Sequence, residues 1–460
     1  MTKIYDLAII GAGVIGCALA REFSRRGHSV ALLDSLADFG DGTSKANTAI
    51  LHTGFDATPG TLESRLVAQG YALLLNYAQQ VGIAYENTGA ILVAWDTEQV
   101  ATLPKLQEKA RANGYLDTEI IDADAVYSAL PQLGPGALGG LTVPGESIID
   151  PWSTSLAFIN DATEAGLEFL REHRVTAVRR DGGVTTVTTS AGSVQANWVI
   201  NAAGLGADIV DRLFGYDRFT VTPRRGELIV FDKAARALVP KIVLPVPTSR
   251  GKGVLVAPTV FGNAMLGPTS EDLEDRSDRS TGQAGIATLL EKGRRIMPLL
   301  LNEEVTATYA GLRAAIDHPD YFVDVDAGEG YVCLGGIRST GLTSSLALAE
   351  HVNELMVEAG LPSRMTDGRF DSKRVPNLGE SFPRPYQQAE LIREDPAYGE
   401  IVCFCERVTK GEVRDALNSP VPPGDLGGLK RRTRVMMGRC QGFYCGAAIE
   451  CLFNKDKHNE

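Results

Sequence analysis

The first strand of this chain runs straight into a glycine turn, and that junction restricts the fold more than any other stretch. Tyr5-Asp6-Leu7-Ala8-Ile9-Ile10 is an apolar run, Gly11-Ala12-Gly13-Val14-Ile15-Gly16 is small and turn-forming, and Cys17 to Phe23 follows with helical spacing. Strand, tight turn and helix in that order open a parallel α/β unit. Gly11 permits the turn, Gly13 lets backbone amides approach a pyrophosphate, and Gly16 lets the helix close on the strand. Val14 and Ile15 then lie at a helix N-terminus, where free N–H groups and the macrodipole favour an anion. A second apolar run, Ser29 to Leu33, ends at Asp34, eighteen positions after Gly16. A carboxylate there accepts hydrogen bonds from ribose hydroxyls and disfavours a 2′-phosphate, so the signature predicts a site for FAD or NAD. The glycine triplet alone would mark only a tight turn; the flanking strand, helix and acid give it meaning.

A chain of 460 residues is too long for one ordinary core and long enough for two or three. Its formal net charge of -12 argues against nucleic acid as a partner, because phosphate binding needs a basic surface. No segment reaches the roughly eighteen uninterrupted apolar residues of a membrane span, and Ile4 to Ile15, rich in glycine and carrying Asp6, reads as strand and turn rather than as a signal peptide. A cytoplasmic protein with reduced thiols is expected. Four of its seven cysteines form one pattern, Cys403-Phe404-Cys405, then Cys440 and Cys445. Four thiolates so spaced suit a [2Fe-2S] cluster or structural zinc. Cys17, Cys333 and Cys451 are scattered and read as buried or free.

Further motifs narrow the dinucleotide. Ser44-Lys45-Ala46-Asn47 belongs to a polar, small-residue stretch that ends in His52-Thr53-Gly54. Val199 to Gly204 is a strand running into an Ala203-Gly204 turn, and Gly336-Ile337-Arg338-Ser339-Thr340-Gly341-Leu342-Thr343 closes the series. In these four ordered motifs, over about residues 1 to 365, the chain resembles the FAD-dependent D-amino-acid-oxidase and glycerol-3-phosphate-dehydrogenase superfamily. The resemblance implies an α/β (α+β) fold: a Rossmann-like FAD domain, an antiparallel-sheet substrate domain roofing the flavin, and FAD contacts at the motif residues above together with Val175. The segments around Cys403 and Cys440 resemble the bacterioferritin-associated-ferredoxin type of [2Fe-2S] domain, which also closes the large subunit of anaerobic glycerol-3-phosphate dehydrogenase. That implies a small helical C-terminal [2Fe-2S] domain with Cys403, Cys405, Cys440 and Cys445 as ligands, and Thr409 to Glu412 fits a capping box at its first helix.

The expected division is discontinuous: 1–80, 145–215 and 305–365 for FAD, 81–144 and 216–304 for the roof, 366–395 as a linker draped over the surface, and 396–460 for the cluster. Asn113 to Leu130 reads as a helix on the roof sheet. For chemistry, His52 is suited to take an alcohol proton as hydride leaves for the flavin, or else simply hydrogen-bonds FAD. Arg313, in Gly311-Leu312-Arg313, matches the family's anion anchor, with a structural ion pair as the alternative, and Lys252 supplies a second cation or is a hairpin-turn lysine. Arg338 faces either substrate or flavin. The resemblance thus implies oxidation of a small anionic secondary alcohol, first choice sn-glycerol 3-phosphate. L-2-hydroxyglutarate or another hydroxy acid is the enzymatic alternative, and a non-catalytic redox or iron-sensing module the other. Electrons would pass through the cluster to an electron-transfer protein or a membrane-anchored subunit, which allows peripheral contact with the inner face of a membrane. Lys430, Arg431, Arg432, Arg434 and Arg439 stand out in an acidic chain as a docking patch for an acidic partner, a solvated face, or charge balance for the cluster.

Overall fold

A computed structural model describes residues 3–247, 253–365 and 372–457. The Ile4–Ile10 strand sits centrally in an 8-stranded sheet, parallel to Val30–Leu33 on one side and to Gly192–Asn201 on the other. Glu168–Leu170 and Tyr331–Gly335 extend the parallel core, and Val175–Asp181, Val184–Thr189 and Phe322–Asp326 complete the sheet as antiparallel strands. Alternation explains why the first strand is apolar throughout. Leu7 and Ile9 enter a core with Leu19, Phe23, Phe158 and Leu348, whereas Ala8 and Ile10 enter a second core with Val199, Phe219 and Tyr331 on the other face. The helices Val14–Arg25, Pro151–Glu164 and Gly341–Glu358 close the first of these faces, the middle one started by Asp150, whose carboxylate accepts from the N–H groups of Trp152 and Ser153.

The roof is a 9-stranded sheet built around the antiparallel pair Thr222–Phe231 and Val305–Ala315. Val305–Ala315 therefore lies in the roof and not in the nucleotide-binding sheet to which the sequence assigns it. The helix expected over Asn113 to Leu130 is also placed differently. Thr97–Ala112 is helical, ended by Asn113 and by Gly114 at φ +81; Glu119–Asp122 is a strand paired with Gly139–Val143, and only Ala123–Ala129 returns to helix. Asp96 and Asp122 each cap the helix that follows, so the capping acids mark both starts.

A small 3-stranded sheet joins the two layers: Ile50–Leu51, Ser147–Ile149 and Tyr85–Glu86. The C-terminal part pairs Ile401–Cys403 with Val408–Thr409 and packs the helices Lys410–Leu417, Leu426–Thr433 and Gly446–Lys457 around Val413, Leu429, Val435, Ile449 and Phe453. Thr409 and Glu412 form the expected capping box. The stretch leading to it is pinned along its length. Val375 donates to Val81 O, Glu380 donates to Val260 O, Leu378 is buried, and Arg384 pairs with Glu412 at 2.6 Å. Single backbone bonds to distant strands leave no period in a sequence, so this stretch reads there as a loose drape.

Candidate active site and thiol centre

The glycine turn does what its spacing requires. Gly11 has φ +103, and a Cβ there would stand 2.5 Å from Ala202 O; a Cβ on Gly16 would stand 1.8 Å from Gly11 O. Gly16→Ala should therefore yield a chain that copurifies without flavin, visible as loss of the yellow absorbance at equal protein. The helix beginning at Val14 has no side-chain cap on Gly13 and no acid in its first turn, which leaves its positive end for a diphosphate. From this turn a cavity of about 680 Å³ runs between the two sheets. Gly11, Gly13, Val14, Ile15 and Asp34 line its start, Ser44, Ala46 and Asn47 its flank, Val175, Ala203 and Gly204 its floor, and Gly336, Arg338, Ser339, Gly341 and Leu342 its far end. Three residues expected in that wall stand behind it. Gly16 is in the helix–strand contact, Lys45 gives its ammonium to Asp41 at 2.7 Å, and the Thr343 hydroxyl accepts the His52 N–H at 3.0 Å.

Asp34 holds the turn from inside: its carboxylate accepts from Ala12 N–H at 2.6 Å and Leu36 N–H at 2.8 Å, and burial raises its pKa above the ordinary aspartate value despite those bonds. Among the cavity residues that the sequence missed are Arg276 and Arg279, on the roof loop after Glu271–Asp272. Arg276 reaches Asp208 and Leu205 O, so the loop closes over the mouth of the cavity.

His52 owes its position to sheet register. Leu51 pairs with Ser147, so the next residue of each strand, His52 and Glu146, face each other, and His52 Nδ1 lies 3.0 Å from Glu146 Oε2. Glu146 is fully buried, and its other oxygen accepts from Thr53 N–H at 2.7 Å and the Thr53 hydroxyl at 2.9 Å. A carboxylate fixed on both oxygens accepts the Nδ1 proton and leaves Nε2 as the basic nitrogen. Glu146 was not legible in the sequence, because it is 94 positions from His52 and in no motif.

Arg313 stands on the face of the roof that looks toward the cofactor segment. On its strand Tyr309 donates to Asn47 O at 2.8 Å, and a Cβ on Gly311 would lie 2.2 Å from Ala46 O; Arg313 has the same parity. Its guanidinium lies over Gly226, with Thr269 O at 3.5 Å, and among the described residues no carboxylate pairs with it. Burial and the neighbouring Arg224 hold its pKa below the ordinary arginine value. Lys252 lies outside the described residues. Arg338 donates to Pro319 O, and His318 is exposed.

The four thiols gather in two neighbouring pairs, Cys405 with Cys440 and Cys403 with Cys445. Among the described residues no three His, Cys, Asp or Glu side chains converge as a mononuclear metal needs, while paired thiols suit two irons that each take two thiolates. The N–H groups of Tyr444, Gly442 and Phe443 hold the Cys440 thiol below its ordinary value, and burial pushes Cys445 up to about 12. Arg407, Arg434, Met436 and Gln441 take positive φ around these loops, a concentration of strain that belongs to a site. A Cβ on Gly438 would stand 2.3 Å from the Cys405 Cβ. Phe404, Phe443 and Tyr444, by contrast, are exposed beside the thiols.

Three of the five basic residues turn inward, while Arg439 is exposed and Lys430 half-buried. Arg431, Arg432 and Arg434 are buried, and they bind Asp41, Asp38 and Glu406 respectively. Arg439 reaches Asp232 at 2.8 Å and Glu304 at 3.0 Å on the roof. Docking of an external partner and a solvated face are both excluded for the three buried arginines: they hold the thiol module to the rest of the chain. At the centre of that contact Arg434 lies 4.1 Å from the centroid of Phe261, which stacks on Trp152 at 5.0 Å, and Trp152 Nε1 donates to Lys45 O.

Residues 6–355 match the FAD dependent oxidoreductase family, and residues 401–455 match the BFD-like [2Fe-2S] binding domain. The chain belongs to the FAD dependent oxidoreductases. It is 33% identical over 450 residues to the glycerol 3-phosphate dehydrogenase of Caloramator mitchellensis, covering 97% of this chain and 93% of that protein. It is 30% identical over 362 residues to the glycerol 3-phosphate oxidase of Mycoplasma pneumoniae, covering 76% of this chain and 94% of that one. Among solved structures, dithionite-reduced L-alpha-glycerophosphate oxidase from Mycoplasma pneumoniae with FAD bound superposes with a TM-score of 0.76 at 27% identity, over 82% of this chain and 100% of that chain.

As an FAD dependent oxidoreductase with a BFD-like domain, this chain has FAD and a [2Fe-2S] cluster as its cofactors. The residues present fit both: the cavity begins at a helix N-terminus with no acid in its first turn and ends at Leu342, and the thiols stand in pairs with backbone N–H groups near Cys440. Among the described residues no helix is long and apolar enough to cross a membrane.

Proposed function

We propose that this oxidoreductase oxidises an anionic secondary alcohol, sn-glycerol 3-phosphate to dihydroxyacetone phosphate as first choice, and passes the electrons through its cluster to an external acceptor. The observation that carries the reading is the His52–Glu146 pair, a histidine with its basic nitrogen defined by a buried carboxylate at 3.0 Å. The likeness to a glycerol 3-phosphate dehydrogenase along nearly the whole chain supports the substrate. FAD, when bound, supplies hydride acceptance, and the [2Fe-2S] cluster, when bound, supplies one-electron transfer. His52 Nε2 takes the alcohol proton, and Glu146 keeps the imidazole oriented and stabilises it once protonated. Arg313 binds the phosphate with its planar fork, a task for which a half-buried guanidinium that pairs with no carboxylate among the described residues is suited. The exposed surface at Phe404, Phe443 and Tyr444 gives an acceptor access to the thiol loops.

Arg313→Met should weaken substrate binding by about 2–5 kcal/mol, the range for removing one partner of a buried charged contact. It would be read as a raised KM for sn-glycerol 3-phosphate with FAD content unchanged. The reading as a whole is tested by mixing the anaerobic holoenzyme with sn-glycerol 3-phosphate and, separately, with L-2-hydroxyglutarate. Bleaching of the flavin band by the first and not the second supports the phosphate substrate. The reverse result replaces it with the hydroxy acid, and no bleaching by any anionic alcohol sinks the catalytic reading.

A further inference from the structure

Residues 35–41 connect three parts of the cofactor site. The loop leaves Asp34, which holds the glycine turn, and Gly40 N–H donates to Ala12 O in that turn at 2.8 Å. It then delivers the chain to Thr43–Lys45, where the Ser44 hydroxyl accepts the Val14 N–H at 2.9 Å. The shape of this loop thus sets where turn, acid and flank stand relative to one another. Its middle is held from elsewhere. Asp38 is fully buried, and its carboxylate meets the Phe39 N–H and both terminal nitrogens of Arg432, one at 3.0 Å. Arg432 is 3% exposed, is further fixed by Val421 O and Gly428 O, and stacks 4.6 Å from the Phe39 ring centroid. Arg431 bonds Asp41, which also holds Lys45. The contact is close: a Cβ on Gly428 would stand 1.8 Å from Asp38 Oδ2, and a Cβ on Gly424 the same distance from Ala37 O.

A buried carboxylate that loses its guanidinium is strongly destabilised, so the loop cannot keep this shape once the thiol module leaves. We propose that Arg432, assisted by Arg431, is a positioning residue for FAD: by pairing with Asp38 and Asp41 the thiol module fixes loop 35–41 in its cofactor-binding shape, so that FAD binding and module docking are linked. The proposal rests on the reading that the large cavity takes FAD. Linkage makes the effect reciprocal, each event favouring the other by the same factor.

The test uses the full chain with its cluster in place and its flavin removed, titrated with FAD and followed by flavin fluorescence. Arg432→Gln should raise the FAD Kd about 5- to 150-fold. Asp38→Asn should do the same, and the double variant should be no weaker than either single one. Lys410→Gln, whose ammonium meets Glu400 inside the module, should stay within about twofold of the parent. FAD should slow protease cleavage around Asp395 to Glu400 in the parent and not in Arg432→Gln, a response that a merely structural arginine would not give. If Arg432→Gln disturbs the visible circular dichroism of the cluster, Asp38→Asn, outside the module, decides by the same criteria. A parent that binds FAD while these variants bind it equally well overturns the linkage alone. A parent that takes up no FAD removes the cofactor reading and this proposal with it.

Discussion

A chain carrying His52→Asn should bind FAD normally and yet be reduced by its substrate about 10²- to 10⁴-fold more slowly than the parent, the range that a positioned general base contributes. The argument is geometric. The His52 backbone N–H is tied to the Thr343 hydroxyl and the ring Nδ1 to Glu146, so the ring is oriented through Nδ1 and Nε2 is the basic nitrogen. Asparagine keeps a polar group of related size but cannot take a proton. Glu146→Gln provides the companion measurement. It leaves His52 in place and removes the charge that stabilises the protonated ring, so kcat should fall with little change in KM. Stopped-flow bleaching of the flavin band at saturating substrate reads both variants. A His52→Asn chain reduced as fast as the parent would show that His52 only holds the cofactor.

The second large effect should separate the two halves of the electron path. In Cys440→Ser the flavin should still be bleached by substrate at the parental rate, while onward transfer to a protein acceptor falls to background. The reduced-cluster resonance should disappear from electron paramagnetic spectra of the substrate-treated protein. Cys440 is the informative position because the neighbouring backbone N–H groups of Tyr444, Gly442 and Phe443 hold its thiol below the ordinary value. Those donors favour a thiolate, and serine in its place offers a far weaker ligand for iron. The contacts of the thiol module with the cofactor loop, Arg431 with Asp41 and Arg432 with Asp38, do not involve Cys440, so the first half-reaction has no reason to change. Onward transfer that survives the substitution would mean that electrons leave from the flavin directly.

These two sites differ in how far the sequence exposes them. The glycine turn is local: φ at Gly11 and the close approach at Gly16 follow from the strand–turn–helix itself, and a reader of residues 5–34 recovers them. The four cysteines are legible for the same reason, since Cys403 lies next but one to Cys405 and Cys440 lies near Cys445, whereas the meeting of Cys405 with Cys440 is decided by the tertiary structure. Glu146 is not, because only the pairing of Leu51 with Ser147 carries it to His52. Likewise Val305–Ala315 reads equally well in either sheet until it is seen to bond along the length of Thr222–Phe231.

The basic stretch near the C-terminus draws the line most clearly. Its composition established that an acidic chain concentrates positive charge at Lys430 to Arg434, and nothing in the composition says where that charge points. The sequence by itself determined the dinucleotide turn, the thiol set and the α/β alternation, because these are patterns of spacing along one segment. Only the tertiary structure decided that Glu146 orients His52 and that Arg431 and Arg432 face Asp41 and Asp38 instead of solvent. The reason is that a buried charge is fixed by the partner that neutralises it, and these arginines and their aspartates are brought together from nearly opposite ends of the chain.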